Sequence, residues 1–194
     1  MSILQKYPKV IIVEGPDCVG KDTLINSLSN HYNNAVKIIH AGIPDNKNLH
    51  DYYYKGLIHD TLDAYYAHSY DAVIHNRSMY GEYVYGPKYR DEDKKEVAKL
   101  ISDFELGQLK TFILSKELIF ILLNSDNSDL LVKSSDGLSI SNKKTDIEDE
   151  MAAFDEVFDL SSIKNKKKIY VNNGDSFRSK DSIVKEAIDF IDSI

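Results

Sequence analysis

The chain has 194 residues, of which 42% are hydrophobic and 28% are charged, and it contains nine glycines and four prolines. This composition excludes collagen-like, low-complexity and wholly disordered classes, and the length predicts a single folded domain over residues 1–194. The formal net charge of −7 argues against a protein that binds nucleic acid, because neutralising a phosphate backbone requires a basic face.

The cysteine content and the hydropathy pattern predict a cytoplasmic protein. One cysteine cannot form an internal disulfide, so nothing requires an oxidising compartment. Residues 1–9 lack the cationic start and the apolar run of a secretory signal, and no segment approaches the ~18 apolar residues that span a bilayer. We therefore expect the cytoplasm, or the host cytoplasm for a viral protein, and no association with membranes.

Five apolar runs bounded by turn residues predict buried strands. In chain order they are Val10–Val13, Val36–Ile39, Ala72–Ile74, Leu118–Leu123 and Lys168–Val171. Segments with helical spacing lie between and after these runs. They begin at Lys21 and near His50, Asp91, Thr145 and Ser179. Alternating strands and helices predict a three-layer α/β/α fold with a central five-stranded parallel sheet, which binds ligands at the carboxyl ends of its strands.

A glycine-rich loop, residues 15–21, joins the first predicted strand to the first predicted helix. Its G-x4-G-K spacing in this context is the specific signature of a phosphate-binding loop, or P-loop. Backbone N–H groups of such a loop point towards phosphate, and the helix N-terminus adds partial positive charge. The lysine, Lys21, is expected to reach the β- and γ-phosphates of a nucleotide. The residues expected to bind the donor nucleotide are Gly15, Cys18, Val19, Gly20, Lys21, Asp22 and Thr23.

One position departs from the P-loop pattern. The residue after the lysine is usually Ser or Thr, whose hydroxyl holds Mg²⁺, but here it is Asp22 and a threonine follows one place later. A carboxylate is also a hard oxygen ligand suited to Mg²⁺. Alternatively, an aspartate in the first helical turn simply interacts favourably with the helix dipole. Both interpretations of Asp22 remain open at this stage.

Arginine is scarce in the chain, and two of its three arginines, Arg77 and Arg90, lie close together after the third predicted strand. A guanidinium group is a planar donor that binds phosphate through two hydrogen bonds. Because the carboxyl end of a strand faces the ligand crevice, we expect Arg77 to hold a second phosphate opposite the P-loop. Arg90 is a further candidate on the same substrate side.

Four segments together resemble the thymidylate kinase family over nearly the whole chain. They are Glu14–Lys21, Asn76-Arg77, Val84-Tyr85 and Asn172–Asp175. The resemblance implies an enzyme that transfers the γ-phosphoryl group of ATP to deoxythymidine monophosphate (dTMP) with Mg²⁺. It also implies a homodimer whose ligands are small nucleotides.

The resemblance further assigns roles to individual residues. Asp17 corresponds to the family's contact with the sugar 3′-hydroxyl, and Arg77 to the ligand of the acceptor phosphate. Tyr85 corresponds to the ring that packs under the sugar and disfavours ribose. An aromatic base-stacking residue and a cationic phosphate ligand fall near Tyr52 and Lys55.

Near the end of the chain, Asn173 lies in a turn that resembles the family's adenine contact. Two other positions depart from the family pattern. The family usually has an aspartate where Asn76 stands, and an amide cannot act as a carboxylate base. A glutamine that commonly reads the pyrimidine is replaced by Gly86. Acceptors other than dTMP therefore remain open, namely dUMP or several deoxynucleoside monophosphates.

A polar, irregular segment, residues 125–145, is predicted as a flexible lid. Phosphoryl transfer requires positive charge at the moving group, and the P-loop itself offers only Cys18 at the position where some family members have arginine. We expect Lys133 to supply that charge, with Lys143 and Lys144 as alternatives; lysines in a polar segment are also often merely solvated. The expected catalytic residues are therefore Lys21, Arg77 and Lys133.

Two alternative functions remain. A deoxynucleoside kinase would require a carboxylate base for a sugar hydroxyl, and Asn76 is a poor one. A nucleotide-dependent switch without an acceptor would have no use for Arg77.

Overall fold

The computed structural model of the chain describes residues 7–42, 52–109, 118–134 and 143–194. Within them, one sheet of five parallel strands has the order β2-β3-β1-β4-β5. The strands are β1 (Lys9–Glu14), β2 (Val36–His40), β3 (Ala72–Asn76), β4 (Leu118–Asn124) and β5 (Asn165–Tyr170). The predicted five-stranded parallel sheet is confirmed.

Seven α-helices flank the sheet in the described ranges. They are α1 (Lys21–His31), α2 (His59–Ala67), α3 (Met79–Tyr89), α4 (Lys94–Asp103), α5 (Ser128–Ser134), α6 (Lys144–Leu160) and α7 (Lys180–Asp192). Two π-helical segments, Tyr52–Ile58 and Phe104–Leu109, and a small hairpin of β6 (Asn172–Asn173) and β7 (Ser176–Phe177) complete the description. None of the described helices is long and apolar enough to cross a membrane.

Side chains that alternate between the two faces of each strand produce the three layers of the fold. In β1, Val10 and Ile12 contribute to the core beneath α2, α3, α4 and α6, whereas Ile11 and Val13 contribute to the core beneath α1 and α7. Successive side chains of a strand point to opposite faces, and a parallel sheet covered on both faces therefore has continuous apolar strands. The chain thus has the three-layer α/β/α fold of P-loop NTPases, as the sequence predicts.

The sequence pattern does not predict α3. This helix contains two glycines and Pro87, residues with poor helix propensity. Its first eight residues are nevertheless buried, and the Ser78 side chain caps its N-terminus by accepting a hydrogen bond from the Tyr80 N–H. A Cβ at Gly86 would lie against the carboxylates of Glu82 and Glu92, so a larger residue there would require these two side chains to move. Tertiary burial therefore overrides local propensity in α3.

The boundaries of β5 differ from expectation, and the described parts of the predicted lid include helical residues. β5 begins at Asn165, earlier than predicted, and its three consecutive lysines lie on an edge strand, where lysine is common because it discourages further strand pairing. The segment 125–145 that we predict as a lid contains α5 at its start and the first residues of α6 at its end. Residues 135–142 lie outside the described part of the chain.

A buried histidine links β3 to α2 on the side of the sheet away from the P-loop helix. Nε2 of His75 lies 2.8 Å from Oγ1 of Thr61, and the Thr61 hydroxyl donates to the Leu57 carbonyl oxygen at 2.5 Å. Since that hydroxyl donates elsewhere, the ring donates to it from Nε2. Burial lowers the pKa of His75 to about 4, so the imidazole is neutral at physiological pH.

We expect this histidine to make the fold sensitive to acid. Its pKa is about 4 in the folded chain and ordinarily 6.5, so protons favour the unfolded chain. Its contribution is complete above pH 6.5 and is lost as the pH falls from there towards 4. Between pH 7 and pH 5 the free energy of unfolding should fall by about 2 kcal/mol from this group alone.

Urea unfolding of the protein and of His75→Gln at both pH values tests this expectation. The glutamine amide can still donate to Thr61 but does not titrate, so the variant should lack this part of the pH dependence. The same pH dependence in both proteins would contradict the assignment.

Candidate active site

The P-loop wraps tightly at the carboxyl end of β1. Gly15 has a φ of 145° and lies so close to the backbone of β4 that a Cβ would collide with the Leu123 carbonyl oxygen. Cys18 also has positive φ, 65°, in a region that residues other than glycine rarely adopt. This curvature directs the loop around the side chain of the lysine that ends it.

The ammonium group of Lys21 lies inside the loop. It donates hydrogen bonds to the carbonyl oxygens of Gly15 at 2.8 Å and Pro16 at 2.5 Å, and it lies 3.9 Å from Oδ1 of Asp17. Burial, together with the charge of Arg77, lowers the pKa of Lys21 to about 8. A phosphate bound beside it would stabilise the charged form, since an opposite charge nearby favours ionisation.

Arg77 follows β3 in a left-handed backbone conformation, with φ of 67°. Its guanidinium donates to Oδ1 of Asp17 and lies 5.5 Å from the centre of the Tyr85 ring. Burial tends to lower the pKa of Arg77, but Tyr85 and Asp17 outweigh it and raise that pKa above its ordinary value. The structure thus brings together Arg77, Asp17 and Tyr85, three residues that the family resemblance assigns to the acceptor.

A buried carboxylate at the end of β1 holds the turn that carries Arg77. Oε1 of Glu14 accepts hydrogen bonds from the Ser78 N–H at 2.6 Å, the Ser78 hydroxyl at 2.8 Å and the Gly81 N–H at 3.2 Å. Burial raises the pKa of Glu14, while the Ser78 hydrogen bond and the charges of Arg77 and Lys21 oppose that rise. Glu14 therefore fixes the start of α3 relative to the P-loop. The sequence analysis gives it no role, although a carboxylate ending an apolar strand is a detectable signal.

A second polar group lies beside the P-loop helix. The side-chain amide of Asn76 donates to Oδ1 of Asp22 at 2.7 Å and lies 3.2 Å from Nδ1 of His40. His40 is the last residue of β2, and the sequence analysis assigns it no role.

Asp22 fits the requirements of a Mg²⁺ ligand. Among the described residues, no group of three or more His, Cys, Asp or Glu side chains could hold a metal ion. Mg²⁺ in phosphoryl-transfer sites is usually bound by one or two carboxylates, by water and by substrate phosphates, so a single carboxylate next to the P-loop lysine is sufficient.

A cavity of about 220 Å³ adjoins the outer side of the P-loop. It lies between the loop with the start of α1 and the segment that connects β7 to α7, and it is lined there by Phe177, Arg178 and Lys180. Arg178 is held in place by hydrogen bonds to the Tyr170 carbonyl oxygen, Ser182 Oγ and Glu186 Oε2. Asn173, the predicted adenine contact, does not line this cavity. Arg178 is conspicuous in the sequence as a scarce arginine, but the pattern gives it no role.

The remaining acceptor-side candidates lie around the first π-helix. The Tyr52 hydroxyl donates to the Gly42 carbonyl oxygen at 2.9 Å. Lys55 belongs to the same π-helix, and its side chain lies outside the described part of the structure. Nε of Arg90 donates to Oε1 of Glu82 at 3.0 Å and lies 3.7 Å from Oε1 of Glu92. Arg90 is thus tied to these two carboxylates.

The lysines predicted to lie in the lid are exposed. Lys133 is in the last turn of α5, and Lys144 pairs with Asp129 at 2.9 Å. Lys143 is the N-cap residue of α6. Within the described ranges, none of these three lysines forms a hydrogen bond with a residue of the P-loop.

Comparisons with known proteins identify the fold. No protein-family model matches the sequence, and the comparison with curated protein sequences gives no match. Solved structures do match. The YorR protein from Bacillus subtilis, in complex with phosphorylated GDP, has a TM-score of 0.63 and 19% identity, and the match covers 94% of this chain and 95% of that one. Thymidylate kinase from Candida albicans has a TM-score of 0.62 and 15% identity over 96% of this chain and 92% of that one, and deoxyadenosine kinase from M. mycoides has a TM-score of 0.53 and 14% identity over 95% of this chain and 100% of that one. These similarities establish a shared fold over nearly the whole chain.

We expect Glu14 to be essential for the geometry of the site. Glu14→Ala leaves the buried Ser78 N–H and hydroxyl without their carboxylate acceptor, and the Gly81 N–H keeps only the Ser78 carbonyl oxygen at 3.2 Å. The variant should therefore lower the free energy of unfolding by about 2–4 kcal/mol. Glu14→Gln retains the oxygen that accepts all three hydrogen bonds and should lose less than half as much. Urea denaturation at pH 7 measures both values, and equal losses in the two variants would contradict the proposed clamp.

Proposed function

We propose that the protein is a nucleoside monophosphate kinase of the thymidylate kinase family. It transfers the γ-phosphoryl group of ATP to a deoxynucleoside monophosphate, with dTMP as the first candidate. The observation that carries this proposal is the position of Asp17, which lies 3.9 Å from the Lys21 ammonium and accepts a hydrogen bond from Arg77. Two cationic side chains from different elements, both proposed as phosphate ligands, therefore approach the same oxygen of one carboxylate.

The solved structures that share the fold support a nucleotide kinase. Two of them are a thymidylate kinase and a deoxyadenosine kinase, and another was crystallised with phosphorylated GDP. These ligands and activities belong to those proteins, and they agree with the proposed binding of two phosphorylated ligands.

The donor nucleotide binds to the P-loop in this proposal. The loop backbone and Lys21 hold the β- and γ-phosphates, and the base and sugar extend towards the cavity that contains Arg178. Mg²⁺, when bound, neutralises charge on the two phosphates, and Asp22 is the residue that would hold it. Catalysis of phosphoryl transfer is mostly positioning and electrostatic stabilisation, so these contacts are sufficient on the donor side.

The acceptor binds on the opposite wall. Arg77 holds its phosphate in line with the donor, Asp17 accepts a hydrogen bond from the sugar 3′-hydroxyl, and the Tyr85 ring packs under the sugar. Asp17 thereby exchanges an internal ion pair for a substrate contact. Tyr52 and Lys55 are proposed to contact the base and the phosphate from the first π-helix, and Lys133 is proposed to approach the moving phosphoryl group.

The ion pair between Arg90 and Glu82 is relevant to which base the acceptor carries. The carboxylates of Glu82 and Glu92 lie beside position 86, and Arg90 is paired with Glu82, so the glutamine that commonly reads the pyrimidine in the family has no counterpart here. A preference for dUMP or for several deoxynucleoside monophosphates is therefore kept beside dTMP. We also propose a cytoplasmic homodimer, which the family resemblance supports.

An assay of ADP release tests the proposed activity. The purified protein is incubated with ATP, Mg²⁺ and, separately, each deoxynucleoside monophosphate, dUMP, the ribonucleoside monophosphates and the nucleosides. We expect ADP release that depends on a deoxynucleoside monophosphate, with dTMP among the best acceptors. Turnover with nucleosides only would favour a deoxynucleoside kinase, and release independent of any acceptor would overturn the proposal.

We expect Arg77→Ala to act on the acceptor alone. Loss of a desolvated charge pair with the phosphate costs about 2–5 kcal/mol, so the KM for the acceptor should rise by roughly 30-fold or more. The KM for ATP, measured in the same assay, should change less than threefold. Arg77→Lys keeps the charge without the planar fork and should be intermediate. An unchanged acceptor KM would remove Arg77 from the site.

A further inference from the structure

Three side chains from three elements form a hydrogen-bonded row beside the P-loop. His40 ends β2 and Asn76 ends β3, and the two residues are direct neighbours in the register of the parallel pair. Asn76 Nδ2 lies 2.7 Å from Asp22 Oδ1 in the first turn of α1 and 3.2 Å from His40 Nδ1. The sheet register therefore places His40 where it can act on Asp22 through a single amide group.

The direction of the two hydrogen bonds follows from the chemistry of the groups. An ionised aspartate only accepts hydrogen bonds, so the atom of Asn76 that faces Asp22 must be the amide nitrogen. That nitrogen only donates, so Nδ1 of His40 must accept, and the imidazole carries its proton on Nε2. His40 thereby fixes which way the Asn76 amide faces. Without an acceptor at that point, the amide has one fewer constraint on its rotation.

This orientation matters for the carboxylate at position 22. Asp22 is exposed on the helix surface, and its side chain would otherwise sample several rotamers. Mg²⁺ demands near-ideal octahedral geometry, so a carboxylate that holds it benefits from a partner that fixes its orientation. The amide of Asn76 engages Oδ1 and leaves Oδ2 for a cation. A carboxylate at position 76 would instead repel Asp22.

We propose that His40 is a positioning residue of the Mg²⁺ site. It orients Asn76, and Asn76 orients Asp22 as a ligand of the metal that accompanies the donor nucleotide. This inference rests on the proposed function, because that function makes Asp22 the metal ligand. It gives His40 a role behind the metal ligand, through its contact with Asn76, and it makes the residues at positions 22 and 76 a matched pair.

The test measures how much Mn²⁺ strengthens ADP binding to the full chain. Calorimetry gives the affinity for ADP once with Mn²⁺ and once with EDTA, and the ratio of the two affinities reports metal coordination without any turnover. The variants are His40→Leu, which removes the acceptor, and His40→Asn, whose side-chain oxygen can take the place of Nδ1. The control is His31→Leu, at the other end of α1 and paired there with Asp192. Asp22→Asn serves as the reference for a lost ligand.

We expect His40→Leu to reduce this ratio roughly tenfold, as changes of residues behind metal ligands commonly do. His40→Asn and the control should stay within twofold of the unaltered protein, and affinity in EDTA should be the same throughout. His40 is exposed, so thermal unfolding should confirm that every histidine variant folds.

Three results would overturn the proposal. They are an unchanged ratio in His40→Leu, an equal loss of affinity in EDTA, and an Asp22→Asn protein that responds to Mn²⁺ like the unaltered chain. Failure of the proposed activity is distinguishable, because a protein that releases no ADP with any acceptor can still show the expected Mn²⁺ ratios. In that case the metal site stands and the acceptor assignment fails.

Discussion

The buried carboxylate of Glu14 joins the two halves of the site. It ends β1, immediately before the P-loop, and it accepts hydrogen bonds from the Ser78 and Gly81 backbone at the start of α3. Removing a carboxylate from water is costly unless donors compensate it, and here the donors come from the turn that carries Arg77. The element that would hold the donor phosphates and the element that would hold the acceptor phosphate are therefore fixed to each other through one side chain.

The two cationic side chains of the site, Lys21 and Arg77, are paired with oxygen atoms of the chain itself. Lys21 is surrounded by loop carbonyls, and Arg77 is paired with Asp17. The net charge of −7 is therefore compatible with the proposed binding of anionic nucleotides, because a few buried cations provide a local field that the net charge does not describe. In the proposed complex, phosphates would replace these internal oxygen partners, so that binding exchanges hydrogen bonds and creates few entirely new ones. Asp17 is central to this exchange, since it releases Arg77 and gains a sugar hydroxyl in the proposed complex.

The departures from the resembled family have structural reasons in this chain. The carboxylates of Glu82 and Glu92 occupy the space beside Gly86, and burial next to Glu82 raises the pKa of Glu92 to about 7. Asn76 faces Asp22 as a hydrogen-bond donor, a contact that an ionised aspartate could not make. Each unusual residue is matched by a neighbour from another element, and single-position comparison with a family motif does not detect such compensation.

Local patterns in the sequence determine the five strands, the P-loop and the placement of Arg77 at a strand end. Apolar runs require burial on both faces, the G-x4-G-K spacing is a short-range motif, and the carboxyl ends of parallel strands meet at one edge. Only the tertiary structure decides that residues 79–89 form a helix despite two glycines and a proline, because that outcome depends on burial against distant residues. The same holds for the Arg90–Glu82 pair, the Glu14 clamp and the contact of His40 with Asn76. Partners such as Glu14 and Ser78 are 64 residues apart, and no local pattern encodes which distant groups satisfy a buried charge.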